Sequence, residues 1–202
     1  IWKSNRGLIL FGMIFISLFQ FLILYLVTTF DTESMLAGIM NQMPEKMKIF
    51  LGENFFSTLT YDGAAAFGYN HPIILTIMAM IAISLPVRHI SRELEQGTME
   101  LLLACPVKRT RLIVKLWVTA GVILAVVVLT AFIGSLLATK IFHEIGFEGI
   151  IKLFQISVNM WLLFLLVMSY TMLFAAFGKG GGAAGSTGAM VTLFFYLMLF
   201  LG

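Results

Sequence analysis

Residues 88–115 read RHISRELEQGTMELLLACPVKRTRLIVK, and they form the only long charged stretch of the chain, between two strongly apolar runs. Gly97 is expected to break any helix that continues from the preceding run. A new helix can start at Thr98, a good N-cap, with Glu100 near the positive end of its dipole and Pro106 ending it after about two turns. The pattern predicts a cytoplasmic loop that another protein binds. The leucines that its short helix would present are Leu101, Leu102 and Leu103.

The composition is that of an integral membrane protein. Of the 202 residues, 60% are hydrophobic and 11% are charged, and the mean hydropathy is +1.00. A soluble domain of this size would carry about twice that charged fraction. The net charge of +3 does not indicate nucleic acid, because the basic residues lie at the ends of apolar runs rather than on one face. Cys105 is the only cysteine, so neither an internal disulfide nor a thiolate metal cluster can form.

Five apolar runs are long enough to cross a bilayer as helices. They cover approximately residues 8–30, 72–87, 116–139, 153–177 and 186–202. The second run is short and needs its continuation toward Glu93 to span the membrane. Because backbone groups in lipid must be satisfied within each segment and the runs do not alternate, we predict an all-α integral membrane protein. The first run is too long for a signal peptide and is expected to remain as an uncleaved span.

The distribution of lysine and arginine predicts a multi-pass protein of the cell (inner) membrane with its N-terminus in the cytoplasm. With that orientation, nine basic residues lie inside: Lys3, Arg6, Arg88, Arg92, Lys108, Arg109, Arg111, Lys115 and Lys179. Only four lie outside: Lys46, Lys48, Lys140 and Lys152.

The outer segment, residues 31–71, has apolar residues recurring at three- to four-residue steps, which favours one or two amphipathic helices on the outer face. Met40, Met43 and Met47, with His71 later in the segment, offer soft ligands suited to Cu(I). Methionine is more often flexible apolar filling. We therefore expect no metal site, and copper is the alternative interpretation of this segment.

Two motifs that carry chemistry elsewhere fail here. His143 and Glu144 begin a zinc-protease pattern, but Phe147 stands where its second histidine is required. In the glycine-rich turn 178–188, Lys179 is followed by glycine rather than by the serine or threonine of a nucleotide-binding loop. Small residues four positions apart in this turn instead allow helix backbones to approach closely. The pairs are Gly181 with Gly185 and Ala184 with Gly188.

The fourth run carries polar but uncharged side chains, namely Gln155, Ser157, Asn159, Ser169 and Thr171. They could line a cavity or form hydrogen bonds across helices, and we favour hydrogen bonding. None of the five runs contains an Asp, Glu, Lys or Arg. Ion-coupled carriers and membrane hydrolases need ionisable groups there, so the energy for any pumping is expected to come from a separate ATPase.

The charged stretch also carries a family resemblance. The pattern Glu93-x-Glu95-x-Gly97-Thr98-x-Glu100-x-Leu102-Leu103-x-x-Pro106-Val107-x-Arg109, closing with Lys115, resembles the loop of ABC-2 type transporter permeases. The flanking runs and the Lys3-Ser4-Asn5-Arg6 segment agree too, so the resemblance covers nearly the whole chain as a single ABC-2 type transmembrane domain, residues 1–202. In that family the loop carries a coupling helix that docks on the ATPase subunit. The coupling residues implied are Glu93, Glu95, Gly97, Thr98, Glu100, Leu101, Leu102, Pro106 and Arg109.

The resemblance implies a non-catalytic permease subunit of an ABC-2 exporter, without a cofactor of its own. Two ATPase subunits would bind ATP and magnesium, and a second permease, identical or related, would complete the substrate pathway in the lipid bilayer. The absence of charge in the spans favours an amphipathic substrate. The family has six spans, so a sixth helix is expected after Gly202, and both ends of the chain are expected to be trimmed. The alternatives are a non-transporting membrane scaffold that recruits a cytoplasmic partner and, more weakly, a membrane enzyme using His71, His89 and His143, which would lie on opposite sides of the membrane.

Overall fold

The computed structural model describes residues 2–29, 61–97, 109–142, 146–178 and 180–201. All regular structure in these ranges is helical, which confirms the predicted all-α class. The α-helices, in chain order, are α1 Trp2–Thr29, α2 Tyr61–Asn70, α3 Pro72–Pro86, α4 Arg92–Glu95, α5 Arg109–Phe142, α6 Phe147–Phe177 and α7 Gly181–Leu201. A π-helical turn, Val87–Ser91, joins α3 to α4.

Four helical stretches in the described ranges are long and apolar enough to cross a membrane. They are Asn5–Thr29, Pro72–Glu95, Thr110–Phe142 and Phe147–Phe177. The second is completed by its continuation through the π turn to Glu95, as the short second run required. The fifth predicted run lies in α7, whose first turns are rich in glycine and serine. Within the described ranges, four helices therefore meet this criterion where the sequence predicted five, and the fifth predicted run is covered by the 21-residue helix α7.

The π turn begins directly after Pro86. Proline has no amide hydrogen and its ring crowds the carbonyl four residues earlier, so it weakens the α-helical ladder just before this turn. The Arg92 amide instead donates to the carbonyl of Val87, five residues back. The helix ends soon afterwards at Gly97, whose φ of 68° lies in the left-handed region that glycine adopts without strain.

The chain divides into two compact units. Unit 1 comprises Ile1–Gly12, Thr76–Val127 and Met160–Gly202, and unit 2 comprises Met13–Leu75 and Val128–Asn159. The core of unit 1 contains Ile90, Leu116, Met172, Ala175 and Ala184, with Val87 and Phe174 packed against it. The core of unit 2 contains Leu24, Ala65, Ala138 and Leu153, with Phe21, Phe132 and Leu136 packed against it.

Unit 2 brings α1 and α5 into close contact at a glycine. A methyl group at Gly134 would lie 2.5 Å from the backbone oxygen of Ser17, which is far inside contact distance. On another face of α1, Ile14, Leu18 and Leu22 are 61%, 62% and 52% exposed. Such an apolar exposed row at helical spacing is what a lipid-facing side of a span requires.

A buried polar cluster lies in the interior of unit 2. Tyr69 is 2% exposed, and its phenol oxygen lies 2.9 Å from Ser157 Oγ and 3.2 Å from Ser135 Oγ. The cluster therefore joins α2, α5 and α6. Burial raises the pKa of Tyr69, while its two serine partners oppose that shift, so the phenol stays neutral at physiological pH.

Candidate functional site

The candidate site is the base of the charged loop, formed by the π turn and α4. Of the predicted coupling residues, Glu93, Glu95 and Gly97 lie in the described part of the chain. Arg109 begins α5, and nothing is described of its side chain. The remaining predicted residues, Thr98, Glu100, Leu101, Leu102 and Pro106, lie outside the described residues, as does the short helix predicted for them.

Ser91 fixes the π turn to the end of α6. Its side chain is 1% exposed, and its hydroxyl donates to the backbone oxygen of Ala175 over 3.3 Å. The last four carbonyls of a helix have no partner within that helix, so a buried donor there satisfies a group that would otherwise be costly. Ile90, the preceding residue, packs in the apolar core of unit 1 beside Ala175.

Glu95 holds the start of α7. One of its carboxylate oxygens, Oε1, accepts a hydrogen bond from the backbone amide of Gly181 over 2.7 Å. Gly181 is the first residue of α7, and the first amides of a helix lack partners within the helix. A carboxylate at this end also interacts favourably with the helix dipole. The two residues, 86 positions apart in sequence, thus form a charge-assisted cap.

The glycines of the α6–α7 turn make this cap possible. A methyl group at Gly180 would lie 2.7 Å from Glu95 Oε1, and one at Gly181 would lie 3.4 Å from Val87 and 3.5 Å from Ser91. The α6–α7 turn therefore packs closely against the π turn. Ala184 lies in the unit 1 core and Gly188 lies against Thr171, so the small residues of α7 serve close helix packing, as their spacing predicted.

The N-terminal helix contributes a further contact to this base. Asn5, which is 1% exposed on α1, places its amide nitrogen 3.3 Å from Nε2 of His89 in the π turn. The short basic segment at the start of the chain is therefore tied to the same structure as the loop. The π turn and α4 thus contact α1, the end of α6 and the start of α7, all within unit 1.

Sequence reasoning missed Ser91 and the intrachain partner of Glu95. Ser91 and Glu95 are four residues apart, so a helix places them on one face. That spacing was the available signal, because two polar side chains facing the same way indicate a shared polar partner. What it could not identify was the partner, since the α6–α7 turn lies more than 80 residues further along the chain.

The polar side chains of the fourth run divide into two groups. Ser157, Ser169 and Thr171 each donate to the backbone oxygen four residues earlier, and Ser169 also accepts from Trp117 Nε1 over 2.9 Å. Ser157 and Ser169 also bond across helices, to Tyr69 and to Trp117, which agrees with the favoured interpretation, whereas the bond of Thr171 lies within α6. Gln155 and Asn159 are exposed.

The exposed amides of Gln155 and Asn159 line a cleft of about 310 Å³ together with Phe154 and Val158. All four residues lie on one side of α6, within unit 2. An amide without a hydrogen-bond partner is costly in hydrocarbon. This side of α6 is therefore poorly suited to face lipid.

Of the residues named for the copper alternative, His71 lies in the described part of the chain. Within the described ranges, no group of three or more His, Cys, Asp or Glu side chains could hold a metal ion. Met40, Met43 and Met47 lie outside those ranges. His71 is described, and its ring contacts Phe19 and Phe67 at centroid distances of 4.9 and 5.3 Å, while its Nδ1 accepts from the Ile73 amide.

These observations define a multi-pass helical membrane protein whose charged loop rises from a stem hydrogen-bonded to three other helices. The chain belongs to the ABC-2 family: the sequence model described as ABC-2 family transporter protein matches residues 3–202. The resemblance found in the loop is thereby confirmed over nearly the whole chain, and the protein is a membrane component of an ABC-2 transporter. No curated protein and no solved structure matches the chain.

Proposed function

We propose that the chain is the permease subunit of an ABC-2 exporter, which forms the substrate pathway and couples to a separate ATPase through the loop 88–115. The observation that carries the proposal is the stem of that loop. Its hydrogen bonds to the end of α6 and the start of α7 link the loop directly to two other helices. A loop that only recruited a partner would not need these connections, which disfavours the scaffold alternative.

In this proposal the ATPase contact lies beyond Gly97. Leu101 and Leu102 fill an apolar groove of the ATPase, and Glu93, Glu100 and Arg109 orient the loop by charge-assisted hydrogen bonds. ATP and magnesium bind to the partner, and this chain supplies no catalytic group. The protein lies in the cell inner membrane with its N-terminus inside, because that orientation places the loop and most basic residues in the cytoplasm.

Two permeases and two ATPases form the complete transporter in this proposal. The spans of a single chain make a bundle too small to enclose a pathway. The amide-lined cleft of Gln155 and Asn159 supports an amphipathic substrate, since uncharged amides offer both donors and acceptors to neutral polar groups beside the apolar surface of Phe154 and Val158.

The test is co-purification of the full chain with its ATPase, followed by ATPase assays in nanodiscs with a panel of lipids, antimicrobial peptides, sodium and copper ions. We expect vanadate-sensitive hydrolysis that an amphipathic compound stimulates. A partner that binds without any stimulated turnover would favour the scaffold. Stimulation by a metal ion alone would overturn the amphipathic substrate and direct attention to Met40, Met43 and Met47.

A further inference from the structure

We propose that Glu95 is a positioning residue that transmits movement of the loop to α7, rather than a contact for the ATPase. This inference rests on the proposed function, because it supplies the intrachain step between ATPase docking and helix movement. The resemblance alone places Glu95 among the ATPase contacts. In the structure its carboxylate is instead engaged inside the chain, 2.7 Å from the amide of Gly181.

Glu95 and Ser91 together hold both sides of the α6–α7 turn, and we call this pair the stem clamp. Ser91 bonds to Ala175 shortly before the turn, and Glu95 bonds to Gly181 directly after it. Because the two residues are four apart, one face of the stem carries both bonds. Movement of the stem therefore acts on the end of α6 and the start of α7 at the same time.

The two halves of the stem clamp differ in their surroundings. Ser91 is buried beside the apolar core that contains Ile90 and Ala184, so it is held by packing as well as by its hydrogen bond. Glu95 is exposed, and within the described part of the chain a hydrogen bond to Gly181 joins it to α7. The Glu95 bond is part-buried whereas the Ser91 bond is buried, so the Glu95 bond exchanges with water at the lower cost and is the half that can open and close during a transport cycle.

The position of Glu95 along the chain supports its role in transmission. It is the last residue of α4, and Gly97, with its left-handed conformation, follows two residues later. Along the chain, the Glu95 bond therefore lies nearer the loop than the bonds of Ser91 and His89 to other helices. The amide it holds is the first of α7, so a small shift of the carboxylate is applied at the end of a 21-residue helix.

The experiment compares Glu95→Ala with Gln96→Ala in the full complex, and uses Glu95→Gln as a milder variant that keeps an acceptor oxygen. Gln96 is an exposed neighbour on the same stem and belongs to neither the clamp nor the implied coupling residues, so it is the matched control. A reporter cysteine replaces Gly182, where an added side chain would meet nothing within 4 Å, in a background with Cys105→Ser.

Three measurements separate the possible roles. Hydrogen exchange of the first amides of α7 in the permease alone tests the cap, and Glu95→Ala should accelerate it about tenfold because a charged acceptor is lost. Co-purification tests whether the ATPase is retained. Maleimide labelling of the reporter cysteine, with and without vanadate trapping, tests whether α7 responds to the ATPase. We expect Glu95→Ala to retain the ATPase and its hydrolysis but to lose the nucleotide-dependent change in labelling, with Glu95→Gln intermediate and Gln96→Ala unchanged.

Each contrary result has its own meaning. Loss of the ATPase from Glu95→Ala would make Glu95 an ATPase contact and overturn the proposal. Unchanged hydrogen exchange in Glu95→Ala would show that Glu95 does not cap α7. An unchanged labelling response would show that Glu95 does not transmit movement to α7. If the unmodified chain retains no ATPase, the proposed function itself fails and the transmission fails with it, while hydrogen exchange still decides whether the cap exists.

Discussion

Replacing Gly134 with alanine should destabilise the fold, although alanine normally stabilises a helix relative to glycine. The added methyl group would lie 2.5 Å from the Ser17 backbone oxygen, about 0.9 Å short of the 3.4 Å at which such a contact becomes ordinary. The obstacle is backbone rather than the end of a flexible side chain, so α1 and α5 must separate locally. Overpacking of this kind costs about 1–3 kcal/mol.

The opposing gain is helix propensity, which favours alanine over glycine by about 0.8–1.0 kcal/mol in a helix interior. The net expectation for Gly134→Ala is a loss of about 0–2 kcal/mol in the free energy of unfolding. Gly7→Ala is the matched control, because Gly7 also lies within a helix and its added methyl group would meet nothing within 4 Å. The control should therefore be stabilised by the propensity gain alone, about 0.8–1.0 kcal/mol.

The assay is unfolding of the purified permease in mixed micelles by titration with sodium dodecyl sulfate, followed by circular dichroism. The informative quantity is the difference between the two variants, which should be about 1–3 kcal/mol in favour of Gly7→Ala, since the propensity gain is common to both. If Gly134→Ala proves as stable as Gly7→Ala, the close approach of α1 and α5 does not exist as described.

Three further predictions follow from the same structure. Tyr69→Phe should lower the free energy of unfolding by about 0.5–1.5 kcal/mol at neutral pH. Because burial raises the pKa of Tyr69, the stability that its neutral phenol contributes is fully present below a pH of about 10 and is lost as the pH rises through the raised pKa. The Tyr69→Phe variant should lack this pH dependence. Cysteine at Gln155 or Asn159, in a Cys105→Ser background, should react with a membrane-impermeant thiol reagent, because both positions line the open cleft. Leu102→Asp should abolish stimulated transport while the protein still folds and inserts, because it puts an unpaired charge into the apolar groove of the ATPase.

These three predictions can each fail in a distinct way. Unfolding curves of Tyr69→Phe that match those of the unmodified protein at every pH would show that the buried cluster does not contribute to the free energy of unfolding. For the cleft, Ser157→Cys is the buried control. Equal labelling of cysteines at Gln155, Asn159 and Ser157 would contradict the exposure of Gln155 and Asn159 on α6. Normal transport by Leu102→Asp would contradict the proposed docking of the loop leucines.

The sequence was sufficient for the elements that depend on local chemistry. Long apolar runs without charge must be helical in a bilayer, so the all-α class followed from composition and length. The need to extend the second run toward Glu93 followed from counting residues, and the structure supplies the extension through the π turn. Glycine at position 97 marked the end of that helix, because few other residues adopt a positive φ without strain.

The sequence was insufficient for contacts between distant residues. The partner of Glu95 is 86 positions away, and no local pattern specifies which helix end a carboxylate will cap. The exposure of Gln155 and Asn159 was not predicted either, since their residue types equally suit a buried helix contact. Their neighbour Ser157 does make such contacts, with Tyr69 and with the backbone of its own helix. Only the rotation of α6 against its neighbours distinguishes the two cases.

The π turn at Val87–Ser91 has a consequence for the direction in which the loop points. A π turn is what one additional residue produces inside an α-helix, and each residue of an α-helix turns the chain by about 100°. Rewinding the same residues as a regular α-helix would carry the turn of the additional residue, roughly 100°, into the chain that follows and rotate Ser91 and Glu95 away from Ala175 and Gly181. The π turn therefore absorbs the additional residue where α3 meets the stem, and it keeps Ser91 and Glu95 on the face where Ala175 and Gly181 lie.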